Sequence, residues 1–131
     1  MAYTLTIKDE TFPGKVLHQM QLALQNELVT VKDIIEARVV QEVEEYNKKL
    51  PQYFNGLVQP IDTESTTNGY KLKERKKIDP EKQVYIALNA FLNNGYFILV
   101  DNQQAESLEE EVLLSGSTTV SFLKLTPLIG G

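Results

Sequence analysis

Few residues in this chain could do chemistry, and they are unevenly spread. No cysteine occurs, which excludes disulfide frameworks, zinc thiolates, thiol nucleophiles and thiol redox chemistry. His18 is the one histidine, so a Ser-His-Asp triad would have to use it, and a multi-histidine metal centre cannot be built. Glu109-Glu110-Glu111 reads as the acidic first turn of a short helix after the capping Ser107, not as a paired acid and base. Phosphate-binding loops, dinucleotide fingerprints and nucleophile elbows are all missing. What remains is the end of the sequence, Thr126-Pro127-Leu128-Ile129-Gly130-Gly131. Pro127 has no N–H to give a sheet, so an extended tail is expected over 126–131. A carboxylate on Gly131, with no Cβ at Gly131 or Gly130, could enter a narrow active site that a larger residue would block. From Leu125 the tail reaches about 20 Å at roughly 3.3 Å per residue. Such a group is chemistry for another enzyme to perform on this chain.

A tail of that kind needs a compact body to present it. Tyr3, Leu5 and Ile7 alternate with Thr4, Thr6 and Lys8, a half-buried strand. After the Pro13-Gly14 turn, Val16, Met20, Leu22 and Leu24 repeat with period two, which predicts a β-hairpin over 3–24. Thr30 is a helix cap, and Val31, Ile34, Ile35, Val39, Val43, Tyr46 and Leu50 follow at spacings of three and four. These predict a helix from about Val31 to Lys49, with Pro51 as its stop. Residues 47–78 are richer in Asn, Thr, Ser, Pro and Gly and read as a partly ordered surface insertion. Asp79-Pro80-Glu81 starts a second, shorter helix with Val84, Leu88, Phe91 and Leu92 on its apolar face, and Asn93-Asn94-Gly95 ends it. Tyr96 to Val100 reads as a buried strand, Asp101-Asn102 as a turn and Gln103-Gln104 as a short strand. The last strand runs from Thr118 to about Leu125, with Val120 and Phe122 inward and Ser121, Leu123 and Leu125 outward.

The charge is segregated. Segment 71–77 holds five of the 13 basic residues and one acid, a local +4 within a net charge of −5, which leaves −9 for the rest. An acidic balance argues against nucleic acid or an anionic membrane as partner, and a lysine run in a polar loop is most simply a solvated one. At 131 residues, 42% of them hydrophobic, the chain suits one domain with one core. The start Met1-Ala2-Tyr3-Thr4-Leu5 lacks the basic and apolar regions of a signal peptide, and the run Tyr96–Val100 is too short to cross a bilayer. A soluble cytoplasmic protein is expected.

Residues 96–131, from Tyr96-Phe-Ile-Leu-Val100 through Ser107-Leu-Glu-Glu-Glu111 and Thr118-Thr-Val-Ser-Phe-Leu-Lys-Leu125 to Gly130-Gly131, resemble the second half of a ubiquitin-like β-grasp domain. The hairpin 3–24 and helix 31–49 resemble its first half. The resemblance implies an α+β fold: a mixed sheet wrapped around one long helix, 1–131 as a single domain with an insertion at about 47–95. It further implies that Gly131 is adenylated by a partner activating enzyme that uses ATP, the chain itself holding no cofactor and catalysing nothing. The acyl group would then pass to a partner cysteine and on to a lysine amine, with a conjugating enzyme and a deconjugating metallopeptidase as further partners. Pro127, Leu128 and Ile129 stand where ubiquitin's tail carries arginines, and an apolar tail looks more like that of prokaryotic ubiquitin-like proteins and sulfur carriers. Leu17, Leu123 and Leu125 are the candidate partner surface, and Lys71, Lys73, Lys76 and Lys77 the candidate acceptors for chain formation. A sulfur carrier ending in a thiocarboxylate and a β-grasp interaction module that is never conjugated are the alternatives.

Overall fold

In a computed structural model that describes residues 3–11, 15–74 and 76–124, the chain forms an α+β fold. Strands β1 (Tyr3–Thr11) and β2 (Lys15–Leu24) form the expected antiparallel hairpin. β3 (Leu28–Thr30) leads into helix α1 (Val31–Lys49). Thr30 caps it reciprocally: its hydroxyl accepts the Asp33 N–H at 3.2 Å, and the Asp33 carboxylate accepts the Thr30 N–H at 2.9 Å, a capping box. Leu50 takes a left-handed φ of 45°, and Pro51 follows, so the helix stops where the sequence indicates.

The insertion is built differently from the surface loop expected of it. β4 (Tyr53–Phe54), β5 (Thr63–Thr66) and β6 (Gly69–Leu72) make a three-stranded antiparallel sheet in the order β4-β6-β5. Phe54, Leu57 and Val58 are buried in the same cluster as the α1 residues. Helix α2 (Pro80–Leu92) follows, with the Asp79 carboxylate accepting the Glu81 N–H at 2.9 Å. Two amide side chains stitch the unit to its neighbours. Asn47 of α1 donates to the Ile78 carbonyl and accepts the Ile78 N–H, and the buried Gln83 donates to the Val58 carbonyl at 2.8 Å. At the end of α2 the left-handed residue is Asn94, φ 59°, while Gly95 N–H closes on the Ala90 carbonyl at 2.7 Å. Asparagine thus takes the conformation that the sequence suggested for glycine.

β7 (Phe97–Val100) and β8 (Gln103–Gln104) are joined by Asp101 and Asn102, both at positive φ (48° and 68°), the geometry a two-residue hairpin loop requires. The acidic stretch at 107–111 forms no helix: Leu108 and Glu109 make only a turn, closed by the Glu110 N–H on the Ser107 carbonyl at 3.4 Å. Glu111 already opens β9 (Glu111–Leu113), which pairs with β3. The reason lies in α1: its unpaired first amides, on Val31 and Lys32, donate to the carbonyls of Glu110 and Leu108, both at 3.0 Å. Those carbonyls satisfy the start of another helix instead of forming their own.

β10 (Thr119–Lys124) inserts beside β1, and the principal sheet has the order β2-β1-β10-β7-β8. The β1/β10 pair is parallel and every other pair is antiparallel. A parallel pair needs a crossover between its strands, and α1 lies within that connection. Its face of Val31, Ile34, Ile35, Val39 and Val43 packs with Leu5, Ile7, Leu22, Ile98, Val120 and Phe122 in one continuous core. Val120 and Phe122 face inward, as alternation along the strand requires.

Candidate functional site

The apolar face of α1 repeats as 31, 34, 35, 38, 39, 42, 43 and 46, and two of those positions are charged, Arg38 and Glu42. Arg38 is only 1% exposed. On β1, alternation from Leu5 and Ile7 points Asp9 inward, and the parallel register sets Asp9 opposite Phe122 of β10. Arg38 joins all three elements. Its two terminal nitrogens grip the two oxygens of Asp9, one of them at 2.7 Å, the bidentate fork that suits a guanidinium and a carboxylate. The same guanidinium reaches Glu42 at 3.3 Å and lies over the Phe122 ring, 4.6 Å from its centroid.

The network continues into the insertion. The second Glu42 oxygen accepts the Leu57 N–H at 3.1 Å, and Lys124 Nζ donates to the Gly56 carbonyl at 3.3 Å. A Cβ on Gly56 would stand 2.4 Å from the Phe54 ring, so only glycine presents that carbonyl without displacing the aromatic. These groups floor a cavity of about 780 Å³ whose walls include Leu17 and His18 of β2 with Ser65, Thr66 and Tyr70 of the small sheet.

Two cations and two carboxylates balance in the floor, and burial sets their behaviour. Burial raises the Glu42 pKa by more than the attraction of Arg38 and the Leu57 amide lowers it, so its carboxyl lies above the ordinary range. Burial, with the nearby Arg38 charge, holds the Lys124 ammonium below its ordinary value. For Arg38 burial acts downward, but the Asp9 hydrogen bond and the Glu42 and Asp9 charges more than offset it. Both carboxylates are committed to Arg38, and among the described residues no cluster of three His, Asp or Glu is grouped as metal ligands. The arrangement is a clamp: it fixes the end of β10 against α1, β1 and the insertion.

The sequence-derived candidates fall into separate places. Leu17 is the extra residue where the β1/β2 register shifts between Asp9 and Glu10, a β-bulge; it is 59% exposed and borders the cavity. Leu123 alternates to the opposite face of β10 from Phe122 and Lys124, half-buried between its partners Glu10 and Phe97. Lys71, on β6, and Lys73, Lys76 and Lys77 beyond it are exposed. Leu125, Pro127, Leu128, Ile129, Gly130 and Gly131 lie outside the described residues. Sequence reasoning missed Asp9, Arg38 and Glu42; the available signal was a pair of charges on the buried stripe of a helix. Compared with models of protein families, with curated proteins and with solved structures, the chain has no match.

Proposed function

We propose that this chain is a ubiquitin-like protein modifier of β-grasp fold whose Gly131 carboxylate is the reactive group. A partner activating enzyme joins that carboxylate to the AMP of ATP with release of pyrophosphate, making a leaving group of an otherwise inert acid. A partner thiol displaces AMP to give a thioester, and a lysine amine of the target displaces the thiol to give an amide. A conjugating enzyme and a deconjugating metallopeptidase complete the set of partners, and the ATP requirement suits the cytoplasm. Among the described residues no helix is long and apolar enough to cross a membrane.

The observation that carries this reading is the strand order β2-β1-β10-β7-β8 with its parallel β1/β10 centre and α1 across one face, joined to a sequence that continues from β10 to Gly130-Gly131. Such an order is compatible with a β-grasp. The Arg38 clamp supports it further, because a strand that delivers a tail to an enzyme must leave the body at a fixed point. The test is incubation with a candidate adenylating enzyme, ATP and thiol, read by intact mass. A thioester or lysine adduct that disappears when Gly131 is deleted is expected. Exchange of one oxygen for sulfur when sulfide is added as the nucleophile that displaces AMP, with no thioester or lysine adduct, makes the chain a sulfur carrier instead, and an unchanged mass with an enzyme shown to be active leaves an unconjugated interaction module.

A further inference from the structure

Lys124 is the charge in the cavity floor that the clamp leaves over. Arg38 grips both oxygens of Asp9, and Glu42 divides its two between Arg38 and the Leu57 N–H. Among the described residues Lys124 forms no ion pair. Its ammonium donates instead to a neutral acceptor, the Gly56 carbonyl, at 3.3 Å. The side chain is half-buried, and it shares the floor with a guanidinium. Burial and that second cation both penalise an ammonium while sparing a neutral amine. An amine relieved of its proton in this way is the form of lysine that attacks carbonyl carbons.

The space beside Lys124 decides what could reach it. The cavity, about 780 Å³, has the volume of a small-molecule site. Ser65, Thr66 and Tyr70 bring hydroxyl groups to its wall, and the only other titratable or charged groups in the lining are Asp9 and Glu10 of β1, His18 of β2, and Arg38 and Glu42 of α1. Once Lys124 is neutral, Arg38 stands alone against three carboxyls. The lining then has no surplus of positive charge to draw in an anion, so 2-oxo acids are disfavoured. A neutral carbonyl compound carrying hydroxyl groups matches both the charge and the wall.

We propose that Lys124 is a covalent capture site for small neutral aldehydes, which it holds in this cavity as a reversible imine. The amine lone pair attacks the carbonyl carbon, and one amine proton passes to the carbonyl oxygen to give a carbinolamine. The nitrogen lone pair then forms the C=N bond as the hydroxyl departs, with the second amine proton, as water. Amine and aldehyde thus give imine and water with no oxidant or reductant, and hydrolysis reverses the step. The inference is independent of what happens at Gly131.

The test is reductive trapping on the full chain. The probes are glycolaldehyde and, as an anion on the same carbon skeleton, glyoxylate, each with cyanoborohydride to fix any imine. Digestion after glutamate and mass spectrometry then locate the label. Lys124 is the only lysine in residues 112–131, so its labelling is read separately from that of the exposed Lys15, Lys32, Lys48 and Lys82 in the same sample. Near neutral pH glycolaldehyde should label Lys124 severalfold above those four. The excess should shrink as pH rises toward the ordinary lysine range, where every amine is neutral, and should vanish in chain unfolded by urea. Glyoxylate should give a smaller excess. No excess at Lys124, an excess independent of pH or surviving unfolding, or an equal excess with glyoxylate would each overturn the proposal.

Discussion

Replacing Arg38 by methionine tests the clamp. Methionine preserves much of the length and apolar stem of arginine, so the change removes the charge and the hydrogen bonds more than it removes volume. It leaves the Asp9 and Glu42 carboxylates, whose side chains are 14% and 9% exposed, facing each other with no cation between them. Breaking a buried ion pair from one side costs about 3–5 kcal/mol, a large share of the roughly 5–15 kcal/mol by which a domain is stable. The loss should depend on pH in a definite direction. Without Arg38 the Glu42 carboxyl loses the cation that partly offsets its burial, so its folded-state pKa, already above the ordinary range, rises further. Its contribution is then present in full below the unfolded carboxylate range and is lost as pH rises through the folded value. Urea unfolding followed by circular dichroism should therefore show a deficit that is small in the acid range and largest near neutrality. Replacing Asp9 by leucine and Glu42 by glutamine in the same chain should recover most of it, because an apolar site needs no counter-ion. A deficit below about 1 kcal/mol, or one independent of pH, would refute the reasoning and mark the network as a surface-strength interaction.

Other perturbations follow from single contacts. Glu42→Gln in the otherwise native chain keeps an acceptor for the Leu57 N–H and removes a carboxyl whose pKa burial has raised. The native chain loses stability as pH rises through that folded value, and the glutamine variant should show a flatter stability profile just above the ordinary carboxylate range. Gly56→Ala drives a methyl group against Phe54 and should cost about 1–3 kcal/mol in chemical denaturation, with a shifted Lys124 environment by NMR. Thr30→Ala removes one half of the α1 capping box and should cost about 1 kcal/mol, whereas Thr30→Ser should cost little. Tyr96→Phe deletes the buried hydrogen bond to the Ala87 carbonyl, 2.7 Å, for about 1 kcal/mol, while the ring keeps its contacts with Phe91 and Phe122.

Elements whose signals are local were legible in the sequence. Helix α1 announces itself through Thr30, its apolar spacing and Pro51, α2 through Asp79-Pro80, and the β7/β8 hairpin through Asp101-Asn102, because capping and turn chemistry act within a few residues. Elements that exist only by virtue of a distant partner were not. β4, β5 and β6 are two to four residues long and are interrupted by polar residues, so their stability lies in pairing and in Phe54 reaching the α1 core, which no short window reveals. The stretch Ser107–Glu111 has genuine helix-start chemistry, yet the free amides of α1 compete for its carbonyls. Arg38 and Glu42 were visible as charges on a buried stripe. Asp9, 29 residues before Arg38, could be joined to them only once the parallel register of β1 and β10 brought its side chain under α1.

The central claim, that Gly131 becomes an acyl donor to lysine, has a direct signature in the sequence itself. No lysine or arginine follows Lys124, so complete trypsin digestion of a conjugate leaves residues 125–131, Leu-Thr-Pro-Leu-Ile-Gly-Gly, as a branch on the target lysine. The measurement is mass spectrometry of denatured, trypsin-digested proteins from cells that naturally make this chain, captured through an N-terminal tag. Lysine peptides bearing that branch, absent when Gly131 is deleted, are the predicted result. Capture of the full chain together with its cognate activating enzyme, with Gly131 free on every recovered C-terminal peptide and no branched lysine in any sample, would contradict it.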